Sequence, residues 1–397
     1  MVKEPSLLDG EWNWLLKETT NQPEEFAMIL GRLDRGRQLA NLLGTLAKAH
    51  ERAMAWYSLY EIGYGEASGD AGHVDRVADS LIGDSTRARQ VFDLLMRAGY
   101  SPERTEIVVD LLRSKRIPGA SIRSLSFSTW RTNLTAEEAL ALATAATDDQ
   151  TATGAVVAFL SHYLHDAAPA ARTVLRTIVL RVLATPRPHE KRRGFDWESE
   201  ELAKLFVSDA PVEVGSAVLR DIAEREHAHI RGLNDLVRQA WDAAPDKRQF
   251  FETVVAPWID AENAGGWWVR QALEHFPLQE LGVDFLVEWV GAKPDPRAHN
   301  LATVIGEPLG RPSDLHAALL EKFDAHGVGG VFFGSLVSGT WMGPSANWSK
   351  GKLAEARKLL ADERPVIQEW ARRAVTDLEQ MVEADLVRDA EDEIRRR

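Results

Sequence analysis

The sequence of 397 residues contains no cysteine. Disulfide bonds, thiolate nucleophiles and cysteine-ligated zinc are therefore excluded, and a cytoplasmic protein is expected because disulfides belong to oxidising compartments. Long apolar runs are missing as well, since the longest candidate, Val174 to Leu183, is interrupted by Arg176 and Arg181. The first residues carry acidic side chains and tryptophans where an export signal needs a basic start and an apolar run. We predict a soluble protein without a membrane span.

Positively charged residues are fewer than negatively charged ones. Lys and Arg number 47 against 60 Asp and Glu, which gives a formal net charge of −13. This surplus repels a phosphate backbone on average and disfavours a nucleic-acid binder that uses its whole surface. Hydrophobic residues make up 45% and charged residues 27%, so the composition is that of an ordinary folded protein.

The motifs of common enzymes are missing too. The Gly-rich stretches HGVGGVFFGS and SGTWMGPS lack the lysine of a phosphate-binding loop, and no GxSxG nucleophile elbow occurs. Two groupings have the residue types of metal ligands: His162, His165 and Asp166, and Glu224, His227 and His229. Neither has an identifiable partner ligand on another helix, and a solvated helix face is the simpler interpretation. The sequence predicts no catalytic residue, no metal and no cofactor, hence a protein that is not an enzyme.

Almost every stretch of the sequence has the pattern of an amphipathic helix. Apolar residues recur at intervals of three and four, as in Leu39 to Leu46, and strand-like alternation is missing. Thr135 and Glu138 form a capping-box signature at one helix start, and Pro365 opens a last helix with an apolar stripe. Breaks allow two helices in about 35 to 40 residues, a HEAT-like spacing. The predicted fold is all-α, a HEAT-like solenoid of helical hairpins.

One stretch interrupts this periodicity. Residues 185–194, TPRPHEKRRG, contain two prolines and a cluster of positive side chains, which is typical of a solvated connector. We therefore predict two domains, N-terminal helical repeats over 1–189 and C-terminal helical repeats with a capping helix over 190–397.

Tryptophan-rich helix junctions are the candidate binding surfaces. Trp267 and Trp268 are adjacent at a helix start, and neighbours on a helix point about 100° apart, so one ring is expected to remain exposed. A second junction suits an anionic or aromatic partner and consists of Trp341, Trp348, Lys350 and Lys352. These side chains are predicted to contact a protein partner, and burial of the rings between hairpins is the alternative.

A basic strip supports a different function, that of a HEAT-like nucleic-acid-binding protein or DNA glycosylase. Arg172 and Arg176 are four residues apart and share a helix face. The strip lies on one helix and the connector after it: Arg172, Arg176, Arg187, Lys191, Arg192 and Arg193. The acidic balance of the chain argues against this alternative.

Two segments have a recognisable spacing of tryptophan, glycine and proline. Residues from about 285 to 397 contain RAHNLATVIGEP, LHAALLEKF and a small-residue SGTWMGPS loop followed by the helix ERPVIQEWA, and residues from about 119 to 146 contain IRSLSFSTWRTNLTAEEALALA. Both segments resemble the helical-repeat region of bacterial STAND NTPase and anti-phage defence proteins. The resemblance implies a scaffold or sensor, because an NTPase core and an N-terminal effector do the chemistry in that family. The expected function is a non-catalytic scaffold that binds a protein, such as an effector domain or a phage component.

Overall fold

The computed structural model describes residues 23–49, 51–185, 197–224, 233–309, 312–338 and 344–396. All regular structure in these residues is helical, which confirms the all-α prediction. Among them, no helix combines the length and apolar character that crossing a bilayer requires. The chain divides into two compact units, unit 1 (Met1–Leu205) and unit 2 (Phe206–Arg397). The predicted boundary at 189 and 190 lies outside the described residues.

Unit 1 is built from α-helices of about three to five turns and contains a 3₁₀ helix at Gly119–Phe127. The α-helices are α1 Pro23–Leu33, α2 Ala40–Ala49, α3 Glu51–Ser68, α4 His73–Ile82, α5 Ala88–Ala98, α6 Pro102–Arg113, α7 Ala136–Thr147, α8 Thr153–Asp166, α9 Ala170–Ala184 and α10 Trp197–Phe206, which ends at the unit boundary. Helix α3 packs against α1, α2, α4 and α5, and the 3₁₀ helix packs against α8.

The helices of unit 2 follow in the same way, and residues Phe251–Val255 form a π-helical turn before Pro257. The α-helices are α11 Pro211–Glu224, α12 Leu233–Ala243, α13 Lys247–Phe250, α14 Ala256–Ile259, α15 Ala264–Ala272, α16 Val283–Gly291, α17 Pro294–Ile305, α18 Asp314–Phe323, α19 Val328–Val337, α20 Ser345–Lys358 and α21 Pro365–Arg396. Because proline has no N–H and its ring crowds the preceding turn, the wider π turn accommodates Pro257 inside a continuous helical path.

Local signals in the sequence place two helix starts correctly. The Thr135 hydroxyl accepts the N–H of Glu138, and the Glu138 carboxylate accepts the N–H of Thr135 at 2.8 Å, so the predicted capping box is present. Helix α21 begins at Pro365 as predicted and buries Trp370 on its apolar stripe. Its far end stays helical, and the Asp389 carboxylate there accepts the N–H groups of Ser345 and Ala346 at the start of α20.

Side-chain hydrogen bonds repeatedly join positions about one hairpin apart within each unit. Separations of 34, 38, 37 and 41 residues occur in the pairs Arg32–Glu66, Tyr100–Glu138, Arg297–Asp260 and Trp370–Gly329. Stacked hairpins of about 35 to 40 residues would place corresponding positions next to each other, so this spacing agrees with the predicted repeat length. The HEAT-like solenoid itself stays a prediction.

Helices α1 and α3 cross with their backbones in contact. A Cβ atom at Gly31 would meet the carbonyl of Tyr60, and one at Gly63 would meet the carbonyl of Met28. Only glycine permits this approach. The crossing holds the chain that follows α1 against the middle of α3, where a buried polar cluster forms.

This buried polar cluster consists of two fully buried carboxylates, Asp34 and Glu61, and their partners. The Glu61 carboxylate accepts two hydrogen bonds from the Arg37 guanidinium, at 2.6 and 2.8 Å, and lies 2.8 Å from Nε2 of His73. The Asp34 carboxylate accepts the N–H of Leu39 at 2.8 Å and the hydroxyl of Tyr60 at 2.7 Å. Burial and then the hydrogen bond to Asp34 raise the pKa of Tyr60, so its hydroxyl stays a donor.

A partly buried ion pair links two hairpins of unit 2. The Arg297 guanidinium donates to both carboxylate oxygens of Asp260 at 2.8 Å, lies 4.0 Å from the centroid of the Trp289 ring, and donates to the Trp289 carbonyl at 2.7 Å. The hydrogen bonds from Arg297 hold the pKa of Asp260 below its ordinary value of 3.8. Bidentate arginine pairs of this kind are stronger than single surface contacts.

Replacing Arg297 with alanine is expected to lower the free energy of unfolding by about 2 kcal/mol at neutral pH, because the carboxylate loses a charge-assisted bidentate partner. A carboxylate whose pKa is lower in the folded state than in the unfolded state stabilises the fold at any pH above its unfolded-state pKa. This stabilisation is lost as the pH falls through its folded-state pKa. The difference in the free energy of unfolding between wild type and Arg297→Ala should therefore narrow as the pH falls below about 5, as measured by urea unfolding.

The matched control for this prediction is Arg248→Ala. Arg248 also lies over a ring, 4.2 Å from the centroid of Phe285, but its carboxylate partner Glu252 is half exposed at 3.2 Å. Removing the Arg248 side chain should lower the free energy of unfolding by less than about 1 kcal/mol. Equal losses in both variants, or a difference that does not change with pH, would contradict the role assigned to the Asp260 pair.

Candidate interaction surface

The tryptophan pair at the start of α15 is divided between surface and interior. The Asn263 side chain accepts the N–H of Gly266 at 2.8 Å and begins the helix. Trp267 is 47% exposed, whereas Trp268 is partly buried. Their ring centroids are 4.5 Å apart in an edge-on arrangement, so the exposed ring is supported by its neighbour. A role of this pair in partner binding stays a prediction.

The second predicted junction is described only in part. Trp341 lies outside the described residues. Trp348 is partly buried on α20, and Nζ of Lys352 lies 5.9 Å from its ring centroid, which is a helix-neighbour cation–π contact. Lys350 is exposed on the same helix. The structure therefore brings Trp348 and Lys352 together.

The basic strip is likewise described only where it is helical. Arg172 is partly buried and Arg176 is exposed on α9. The other members lie outside the described residues: Arg187, Lys191, Arg192 and Arg193. The nucleic-acid alternative stays a prediction on these positions.

The histidines noted in the sequence as possible ligands have different surroundings. His165 is exposed at the end of α8, and His227 and His229 lie outside the described residues. His162 packs among rings: its centroid is 4.9 Å from that of Phe127 and 6.0 Å from that of Trp197. We call Phe127, His162 and Trp197 the aromatic patch.

The aromatic patch is unusual because its outer rings face solvent. Phe127 is 72% exposed and Trp197 is 59% exposed, while His162 between them is partly buried. Side chains of this size normally bury most of their surface in a core. Both rings lie next to the imidazole, so the three side chains are neighbours in unit 1.

The local structure explains why Phe127 points outward. A 3₁₀ helix has three residues per turn, so Ile122 and Leu125, three apart, lie on one face, and both are fully buried. Phe127 follows Leu125 by two residues and therefore leaves that face. His162 lies on α8, which packs against this 3₁₀ helix, and Trp197 is the first residue of α10.

Charged pairs border the aromatic patch. An Arg123 nitrogen lies 3.3 Å from a carboxylate oxygen of Glu198, and an Arg131 nitrogen lies 2.9 Å from one of Asp166. Burial lowers the pKa of His162, Glu198 opposes this shift, and the two arginines reinforce it. The imidazole is therefore neutral at pH 7. An apolar aromatic centre with a polar, charge-balanced rim is the usual anatomy of a protein interface.

The three residues of the aromatic patch are evenly spaced in the sequence, and the sequence analysis did not identify this spacing. From residue 127 to 162 is 35 positions, and from 162 to 197 is again 35, while Arg131 and Asp166 are also 35 apart. One ring thus comes from each of three successive stretches of the length expected for one helical repeat. Residue identity alone could not show this, because a phenylalanine, a histidine and a tryptophan do not look like a repeat.

Comparison with known proteins adds no assignment. No family model, curated protein or solved structure compared with this chain matches it.

Proposed function

We propose that this chain is a non-catalytic helical-repeat scaffold or sensor that binds a protein partner through the aromatic patch. The observation that carries the proposal is the exposure of Phe127 and Trp197, whose rings both lie next to the ring of His162. Tryptophan is enriched among the residues that dominate binding energy, and such anchors lie at the centre of an interface with less important contacts around them.

The spacing of the rings supports a repeat-based surface. Helical-repeat proteins bind their partners along surfaces to which successive repeats contribute corresponding positions. Residues 127, 162 and 197 follow that rule with a constant separation of 35 in the sequence. A partner lying along the stack would contact the three rings in order.

The chemistry of the rim favours a protein over a nucleic acid. Arg123 and Arg131 are each paired with a carboxylate, which cancels the local positive charge that phosphate binding needs. The net charge of −13 acts in the same direction. The complementary partner is a protein segment with an apolar or aromatic anchor and side chains of both signs around it.

The biological setting that we propose is bacterial anti-phage defence in the cytoplasm, with an effector domain or a phage component as the partner. This rests on the resemblance of residues 119–146 and 285–397 to helical-repeat regions of that kind. Phe127 belongs to the first of these segments.

Replacing Trp197 with alanine is expected to weaken partner binding by about 30-fold or more, the loss typical of a central aromatic anchor. Partners that co-purify from the native cells are first identified by quantitative mass spectrometry. The purified partner is then titrated by calorimetry against the full chain and its variants. Ile394→Ala, which removes a side chain that is 74% exposed on α21, should leave the affinity unchanged.

A further variant, Trp267→Ala, distinguishes the aromatic patch from the tryptophan pair. Loss of binding in Trp267→Ala but not in Trp197→Ala would move the interface to α15 and contradict the patch. The nucleic-acid alternative would replace the proposal if the purified chain shifted a labelled duplex with a steep salt dependence and Arg176→Ala weakened that shift.

A further inference from the structure

A cluster of chemically active side chains lies in unit 2. One ligand atom each of Glu274, His275 and Glu307 lies within 4.8 Å of the others. Glu274 and His275 follow the last turn of α15, and Glu307 follows α17. Two carboxylates and an imidazole from two chain segments converge at this point.

The backbone is shaped to bring the imidazole there. His275 has a left-handed conformation with φ of 60°, its N–H donates to the Val304 carbonyl at 2.8 Å, and its carbonyl accepts from Arg238 at 3.3 Å. Gly306 has φ of 73°, and a Cβ there would lie 2.6 Å from Cε1 of His275. Gly306 therefore leaves the space that the imidazole occupies beside Glu307.

A buried histidine, His316, lies next to the Gly306 backbone. It is only 8% exposed, and its Nδ1 accepts the Ser313 N–H at 3.0 Å, so the proton of the neutral ring is on Nε2. Burial lowers the pKa of His316 to about 4, and a hydrogen bond with the Gly306 backbone opposes this shift.

We propose that Glu274, His275 and Glu307 bind one divalent transition-metal ion of the zinc class. Imidazole and carboxylate ligands suit zinc, and three protein ligands leave a position for water.

The dimensions fit a site that closes on the ion. Ligand atoms about 2.1 Å from a tetrahedral zinc lie about 3.4 Å apart, so ligand atoms that are up to 4.8 Å apart must move inward by at most about 1 Å. The Glu274 and His275 side chains are exposed, and Glu307 is partly so, which leaves them free to rotate. The two carboxylates balance the charge of the ion. Once bound, it would join the turn after α15 to the turn after α17 and stabilise unit 2.

The test uses Zn²⁺ alone and the full chain without an affinity tag, after treatment with a chelator. Calorimetry should detect one saturable site, and the melting temperature should rise with Zn²⁺. His275→Asn is the test variant, because asparagine tolerates the left-handed conformation. It should weaken binding by about tenfold or more and remove the thermal shift. Glu307→Gln keeps the side-chain shape and should have the same effect.

The matched control is His326→Asn. Nδ1 of His326 lies 2.7 Å from a carboxylate oxygen of Asp295. The variant therefore removes a histidine that is paired with a carboxylate elsewhere in unit 2. Binding and thermal shift should persist in this variant. The proposal is overturned if the wild type shows no saturable Zn²⁺ binding, or if His275→Asn and Glu307→Gln bind as wild type does while circular dichroism shows all of them folded. None of these outcomes depends on partner binding.

Discussion

Replacing Trp370 with alanine is expected to lower the free energy of unfolding by about 3 to 5 kcal/mol, the range for large-to-small changes of aromatic core residues. Trp370 is 2% exposed, and its indole N–H donates to the Gly329 carbonyl at 3.0 Å. Its ring also meets Phe332 edge-on at 6.4 Å. The indole thus joins α21 to α19, and its loss leaves a cavity together with a carbonyl that has lost its donor.

Urea unfolding followed by circular dichroism measures this loss as a shift of the transition midpoint. Trp370→Phe retains most of the ring but loses the N–H, so it should cost only about 1 to 2 kcal/mol. Trp267→Ala removes the same kind of side chain from a position that is 47% exposed, and its cost should not exceed about 1 kcal/mol. If the two alanine variants were equally stable, α21 would not depend on this contact.

Replacing Glu61 with alanine is expected to lower the free energy of unfolding by about 3 kcal/mol. The carboxylate is fully buried and receives two hydrogen bonds from Arg37, while Nε2 of His73 lies 2.8 Å away. Removing the carboxylate takes a hydrogen-bond partner from Arg37 and from the buried imidazole of His73. Arg37 retains partial access to solvent, which keeps the expected loss at the lower end of the range for buried pairs.

Glu66→Ala is the matched control on the same helix. Glu66 also pairs with an arginine, Arg32, at 2.7 Å, but both side chains are about half exposed, at 50% and 49%. Its removal should cost less than about 1 kcal/mol, because solvent screens the pair and already hydrates both groups. Similar losses for the two glutamate variants would mean that burial gives Glu61 no special role in holding α1, α3 and α4 together.

Some of the fold could be predicted because its signals are local. Thr135 and Glu138 satisfy each other's backbone groups within one helical turn, so the capping box needs no distant partner. Pro365 at the start of α21 and the apolar stripe that buries Trp370 follow from the same short-range rules. The buried pair of Glu61 and Arg37 could not be predicted, because a glycine such as Gly63 near Glu61 does not tell which other helix crosses there.

The candidate sites show the same limit. His162 and Trp267 attracted attention from the sequence by residue type, and the exposure of Trp267 next to a partly buried Trp268 follows from helix geometry. Phe127 and Trp197 were not predicted as site residues, because a single aromatic residue is more often buried than exposed. The Glu274, His275 and Glu307 cluster was missed because its members are weak signals alone and meet only where Gly306 allows a ring to lie against the chain.

The amino-acid sequence by itself determined that this chain is helical and where several helices begin, because capping, periodicity and proline act within a few residues. Only the tertiary structure decided which rings stay in solvent, which carboxylates are buried with partners, and which histidine joins two glutamates. Those outcomes depend on contacts between positions about 12 to 35 residues apart, and such contacts are set by how whole helices pack, not by the local run of residues.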